Sequence, residues 1–405
     1  VQCDGSRELV RVKPANLEAL ASQPGSAAEE GGAAGGGPRS LAGEQLDFYL
    51  REQPHLFAEA VREQMHRLEE SASDDAARKL EASEEASKKF SGGDDMVLYE
   101  RMGEVRALER SNNLQDIMYY SVVAKFLQLG VGLIEPLDGV VDLDGNGNLK
   151  ELTEDVHSVE ALEMVRNHLM QVLAGPSGGT AQSLNNMMKI SKLQSAQVYA
   201  ASIMFGYFLR RVDKRFQLDR AMGSLPDDPE DMARRLEDIF NSVSADASWD
   251  EDEPPPDFVS DGFQEPSGPE AEAAALAKKR KSKMQEYVES FDQETLVETA
   301  RIVSAEAAML VERQTSTLFG DVHLLQKEMQ EAVGQDASSM EELMNRMQQV
   351  VEEEKVKTLT LTISAQRRVV LEAVAYGAFL RDVESFVAIE SAGLLTTNDE
   401  TKHIY

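Results

Sequence analysis

Apolar residues recur along most of this chain at the spacing of helical faces. Val198, Ser202, Phe205, Leu209, Val212 and Phe216 step by 4, 3, 4, 3 and 4 residues, which aligns them in one heptad-like stripe. Val369, Ala373, Tyr376, Leu380, Val383 and Val387 repeat that stepping 171 residues later. The repeat extends to the string Phe205-Gly206-Tyr207-Phe208-Leu209-Arg210-Arg211-Val212-Asp213, answered by Tyr376-Gly377-Ala378-Phe379-Leu380-Arg381-Asp382-Val383-Glu384. A fainter third copy is Ala124-Lys125-Phe126-Leu127-Gln128, with alanine in place of glycine. The spacing predicts a mainly α protein of repeated helical units, buried along these stripes.

A mid-helix glycine costs about 1 kcal/mol relative to alanine, so its presence in both clear copies needs a physical reason. Close helix approach supplies one: a neighbouring backbone lies against Gly206 or Gly377 while Phe208 and Phe379 fill the flanks. The other reading is room for a ligand or a partner helix. Residues 164–175 and 309–320 precede the two copies, and each ends on a glycine that suits a C-cap. The second copy carries a long insertion, with one Met- and Glu-rich amphipathic helix expected over 329–354. Lys357-Thr358-Leu359-Thr360-Leu361-Thr362-Ile363 then alternates as a strand does. A lone strand needs a partner, so either a short hairpin with 322–325 or an edge in an oligomer is expected.

Breaks in the pattern set the boundaries. Residues 1–40 are rich in glycine and small residues and read as a disordered arm, followed by a helical region over 41–135 and an Asp/Gly/Asn loop over 136–155. A helical repeat unit covers 156–222, an acidic linker 223–277, a second repeat unit 278–390 and a tail 391–405. Between Gly223 and Glu272 there are 16 acidic and 2 basic residues, a balance of −14. Met232, Leu236, Ile239, Phe240 and Val243 still predict a short amphipathic helix inside that linker. The Ala/Ser/Glu/Lys-rich stretch 71–95 reads as a solvated helix or a loose connection.

With 41 Lys and Arg against 72 Asp and Glu, the formal charge of the 405 residues is −31, which disfavours DNA and anionic lipid as partners of the whole molecule. Lys278-Lys279-Arg280-Lys281-Ser282-Lys283 is the densest basic patch, but no aromatic residues interleave it, so it reads as the solvated start of a helix more readily than as a nucleic-acid contact. No apolar run is long enough to span a bilayer. A single cysteine, Cys3, fits a reducing compartment and leaves no multi-cysteine metal site. The sequence starts at Val1 without a methionine, so any targeting segment is expected to have been cut away or omitted.

Catalytic motifs are scarce. His55, His66, His157, His168, His323 and His403 form no His-x-x-x-His pair, and no nucleophile elbow, Walker loop or Rossmann glycine pattern occurs. His168 reads as an ordinary helix histidine. Asp142, Asp144 and Asn146, with Gly147 next, resemble positions 1, 3, 5 and 6 of an EF-hand loop, although Thr153 stands where the chelating glutamate belongs. An Asp/Asn/Gly turn is the simpler reading, and calcium binding, if it occurs, is weak. No other cofactor is implied.

Val97-Leu98-Tyr99-Glu100-Arg101-Met102, Met164-Val165-Arg166-Asn167-His168-Leu169, Ile190-Ser191-Lys192-Leu193 and above all the string from Gln197 through Leu218 together carry a resemblance. They are similar to the plant and algal plastid UV-B-induced proteins, which contain domain of unknown function 760. The resemblance covers about 41–390. It implies a nuclear-encoded chloroplast protein with a transit peptide, placed in the stroma and responsive to UV-B or other stress, and it transfers no catalytic residues. The expected function is therefore non-enzymatic, through contacts with chloroplast proteins, with Phe205, Gly206, Phe208, Arg210, Tyr376, Gly377, Phe379 and Arg381 as packing or partner-binding residues. An enzyme or small-molecule binder remains the alternative, with a pocket beside Gly206 or Gly377 and charge from Arg210, Arg211, Asp213, Arg381, Asp382 and Glu384. A weak calcium-binding regulator is a further one. Neither a particular partner nor an oligomeric state follows from the sequence.

Overall fold

The computed structural model describes residues 37–88, 93–141, 149–174, 187–223, 282–334, 340–353, 355–391 and 393–396. Among them are twelve α-helices and one small sheet, so the protein is mainly α. No helix among the described residues is long and apolar enough to cross a membrane. The described residues divide into a larger unit, running to Arg211 and resuming at Asp292, and a smaller one over Val212–Phe291.

The larger unit opens with α1 (Leu41–Glu52), whose N-cap Ser40 accepts the Gly43 amide and whose residues Ala42, Leu46 and Leu50 face inward. Two long helices follow, α2 (Phe57–Lys88) and α3 (Gly93–Leu129). The stretch 71–95 is thus mostly helix; the Asp75 carboxylate bridges Arg106 at 2.7 Å and Arg110, joining α2 to α3. After the short α4 (Glu151–Glu154) and α5 (Val159–Ala174), the chain forms α6 (Lys192–Met222). Beyond Asp292 come α8 (Gln293–Ala300), α9 (Ala305–Phe319), α10 (Val322–Val333), α11 (Met340–Glu352) and α12 (Ile363–Glu390). The helix expected over 329–354 is two helices, because Gly334 turns to φ +76° and ends α10.

The strand over Thr358–Thr362 forms, with Leu359 and Leu361 buried and the threonines turned outward. Its partners differ from those expected: 322–325 lies in α10, which Asp321 caps through the amides of His323 and Leu324. The sheet has three strands in the order β1-β3-β2, with β1 (Val140–Val141) parallel and β2 (Met187–Ser191) antiparallel to β3 (Thr358–Thr362). A hairpin is replaced by pairing between distant segments.

That pairing has an internal symmetry. In the β2–β3 register Lys189 faces Thr360, its own counterpart at the offset of 171, and Met187 and Ser191 face the counterparts of each other, Thr362 and Thr358. The following helices keep the same relation. Ser191 accepts the Gln194 amide at the start of α6, and its counterpart Thr362 accepts the Ala365 amide at the start of α12. A Cβ on Gly206 would lie 2.0 Å from the Val374 carbonyl oxygen, and one on Gly377 would lie 1.9 Å from that of Ile203, the counterpart of Val374. The two strand–helix units therefore meet in an isologous manner, each using the same surface on the other.

Burial departs from the equal stripes in one respect. On α12, Val369, Ala373, Tyr376, Leu380, Val383 and Val387 are all buried, and every residue from Val369 to Leu380 is enclosed. On α6 the fully buried face is carried by Tyr199, Ile203 and Tyr207, while Val198 and Phe205 are half-buried. The central helix α12 is covered by α3 and α5 as well as by α6, so its stretch 369–380 is enclosed on all sides where α6 is not.

The smaller unit holds the last turns of α6 and α7 (Lys283–Glu289). Phe216 packs edge-on against Tyr287 with ring centres 5.4 Å apart, and the Tyr287 hydroxyl donates to Asp219. Arg215 lies 5.0 Å over the Phe291 ring.

Because each glycine contacts a backbone carbonyl, no side-chain rotation relieves an added methyl. Gly206→Ala or Gly377→Ala should destabilise by about 3 kcal/mol, the upper end of overpacking costs, despite alanine's better helix propensity. The double variant should lose less than the sum, since both glycines face one crossing. Urea unfolding midpoints of the three variants provide the check.

Candidate functional site

The α6–α12 crossing gathers most of the residues expected at a site, and the structure shows what each touches. Phe205 is half-buried and stacks on His168 with ring centres 4.2 Å apart and planes 8° apart, while His168 Nε2 lies 3.0 Å from Ser202 Oγ. Burial holds the His168 imidazole below its ordinary pKa, so the neutral ring is favoured. Phe379 and Tyr376 both meet Phe126 of the third copy, Phe379 edge-on at 5.1 Å. Phe208 is half-buried.

The charged residues of the two copies engage one another and the backbone. Arg210 grips Asp382 through Nε and Nη2, at 3.0 and 2.9 Å, and its Nη1 donates to the Val156 carbonyl. Arg211 donates to the carbonyls of Glu298, Thr299 and Arg301, closing the end of α8. Arg381 holds Glu384 at 2.5 Å and reaches the Tyr207 hydroxyl. The repeat carries arginine at both 210 and 381, but the residues opposite differ, so the two crossings of charge are not equivalent.

Four acidic side chains, all in helices and all buried, do related work. Glu384 Oε1 accepts both the amide and the hydroxyl of Ser304, and its Oε2 accepts the Tyr207 hydroxyl at 2.5 Å. Asp116 accepts the Arg39 amide and the Ser40 hydroxyl and pairs with Arg313, which also donates to the Gly37 carbonyl. The fit is tight, since a Cβ on Gly43 would meet Asp116 Oδ2 at 2.3 Å. Glu306 accepts the amide and hydroxyl of Thr396. Glu372 Oε2 accepts the Ile134 amide at 2.9 Å, and its Oε1 lies 3.4 Å from the Tyr199 hydroxyl, which Gln314 in turn approaches. Each acid thus fastens a non-helical segment, around 37–40, 130–137, 301–304 or 393–396, to the helical core.

Glu372 differs electrostatically from the others. Burial pushes its carboxyl up to about 8, against the Ile134 amide, Arg368 and the Tyr199 hydroxyl, which all favour the anion. Burial also raises Tyr199 and Tyr376, and the Tyr376 hydroxyl meets no hydrogen-bond partner among the described residues. Sequence reasoning passed over Glu372, Tyr199, Gln314, Asp116, Arg313 and Glu306. The one available signal was an acid inside an otherwise apolar run, as in Val369-Val370-Leu371-Glu372-Ala373-Val374.

Asp142, Asp144 and Asn146 lie outside the described residues, as do Lys278 to Lys281 and the expected helix over 231–243. Among the described residues no cluster of three or more His, Cys, Asp or Glu is arranged to hold a metal ion. Thr153, expected at the last loop position, donates its hydroxyl to the carbonyls of Leu149 and Lys150.

Comparison with known proteins gives one family. Residues 56–222 match the model of a family described as a protein of unknown function, DUF760. A UV-B-induced, chloroplastic protein of Arabidopsis thaliana is 33% identical over 353 residues, covering 86% of this chain and 75% of that protein. No solved structure matches.

Two outcomes follow from the buried acids. Asp116→Asn should leave the Arg313 guanidinium buried without its counter-charge and cost about 3–5 kcal/mol in urea unfolding. For Glu372 the folded value near 8 lies above the unfolded value near 4.5, so its stabilising contribution is complete below 4.5 and lost as pH rises to 8. Unfolding free energy should fall across that window by on the order of 3–5 kcal/mol, and Glu372→Gln should remove this part of the pH dependence.

Proposed function

The chain belongs to the DUF760 family together with the Arabidopsis UV-B-induced protein, and we propose that it works in the chloroplast stroma as a non-enzymatic helical protein, acting through protein–protein contacts in the response to UV-B and related stress. The chloroplast setting and the UV-B response are carried over from the relative's name. The mode of action rests on the α6–α12 crossing. Where a pocket beside the glycines would have to lie, the Val374 and Ile203 carbonyls occupy the space. The charges that would have lined it are engaged by Asp382, Glu384 and backbone carbonyls. Exposed apolar side chains on the described helices, among them Val159, Met170 and Ile389, supply surface for such contacts.

Native purification of the tagged full-length protein from chloroplasts, before and after UV-B, tests this reading. A discrete set of cross-linked partner proteins enriched after exposure is expected. A protein that runs alone under both conditions while carrying a stoichiometric small molecule would replace contact with ligand binding as the function.

Calcium is tested separately on the purified full chain. Calorimetry should show no binding tighter than about millimolar, the weak end of EF-hand affinities, because Thr153 cannot chelate as glutamate does. Micromolar binding abolished by Asp142→Ala and by Asp144→Ala would make calcium sensing the leading function.

A further inference from the structure

Residues 130–141 join α3 to the sheet by a path that is neither helix nor strand until β1. Val131, Ile134, Leu137 and Val141 anchor it inward, while the residues between them are exposed or half-buried. Its backbone is fastened at few points. Gly130, at φ +74°, and Val131 close the end of α3 through the Leu127 and Phe126 carbonyls. Leu137 donates to the Leu318 carbonyl, and the Gly139 carbonyl accepts the Thr360 amide. Asp138 is held by Lys192 at 2.6 Å. Midway, among the described residues, the backbone is tied by the Ile134 amide to Glu372.

Glu372 is wholly buried, and the connection lies over it through that tie. The groups that face the carboxyl are few. From α3 there is Tyr119, from α6 Tyr199, and from α12 Arg368 and Tyr376; α9 adds the uncharged Gln314 amide behind Tyr199. Burial raises the three tyrosines, so they stay neutral as the carboxyl titrates, and Arg368 is the one cation among these groups. A neutral carboxyl suits this buried site: its oxygens accept the Ile134 amide and the long Tyr199 hydroxyl contact with no charge left to solvate. An anion there is left with one amide and one long hydroxyl contact, and better solvation requires water to enter.

We propose that residues 130–141 form a strap which the neutral Glu372 carboxyl holds closed and which ionisation of that carboxyl releases, admitting water to the anion and loosening the strap's attachment to the core. The arrangement is a local pH-sensitive device, and it stands independently of the partner-binding function. Its operating range is set by the burial that pushes the carboxyl up to about 8.

Hydrogen exchange of the full-length protein at residue resolution, corrected for base catalysis of intrinsic exchange, tests the device. Between pH 7 and pH 9 the protection of the Ile134 and Leu137 amides should fall about tenfold, following the ionised fraction of the carboxyl, while the amides of 369–380 keep theirs. Glu372→Gln, which cannot ionise, should hold the strap's protection constant over the same range. Constant protection in the wild type, an equal fall in Glu372→Gln, or a parallel fall in 369–380 would overturn the proposal. Infrared spectra of the wild type give a second reading should the glutamine variant fold poorly. A protonated-carboxyl band that disappears in step with strap protection supports the device, and its absence at pH 7 refutes it. Tyr199→Phe removes a hydroxyl that favours the anion and should move the loss of protection to higher pH; an unmoved transition counts against Glu372 as the trigger.

Discussion

Two helix backbones in direct contact are the constraint on which the rest of the larger unit depends. With no side chain at Gly206 or Gly377, α6 and α12 approach until each glycine rests on a carbonyl of the other helix. That approach fixes their axial position. Once it is fixed, the strands that lead into both helices are brought side by side, and the β2–β3 register follows with Lys189 opposite Thr360. The helix-propensity cost of two mid-helix glycines, about 1 kcal/mol each, is offset by burial that a larger residue would prevent.

The polar interior is organised around this apolar crossing. A core built from long helices leaves short non-helical segments lying across it, and their backbone amides need acceptors. Carboxylates on the helices provide these: Asp116 for Arg39, Glu384 for Ser304, Glu306 for Thr396 and Glu372 for Ile134. Asp116 is balanced by Arg313 and Glu384 by Arg381, whereas Glu372 touches only uncharged donors. The same role is therefore met both with and without a paired arginine, and at Glu372 burial pushes the carboxyl up.

Periodicity made the helical class and the two copies legible, because heptad stepping and the Gly-x-Phe-Leu-Arg or similar string survive as local patterns. The strand Thr358–Thr362 was legible for the same reason. Its partner was not: Met187-Met188-Lys189-Ile190-Ser191 lacks the strict alternation of β3, and pairing across 166 or more intervening residues leaves no local trace. The buried acids escaped notice because an acid in a helix ordinarily faces water. Only the helices that enclose α12 on every side make Glu372 an interior residue, and that enclosure is a tertiary fact.

An isologous contact within one chain is also a contact that two chains can make. The β2–α6 surface fits β3–α12 by the same pairs of residues in both directions, and the two partners are far apart in sequence. Joining them closes a long loop, at an entropic cost that the contact must offset. Until they join, each half displays a surface complementary to its counterpart in any neighbouring molecule. Refolding at high protein concentration accordingly sets intramolecular closure against exchange of strand–helix units between chains, so dilution is the condition that favours the monomeric arrangement.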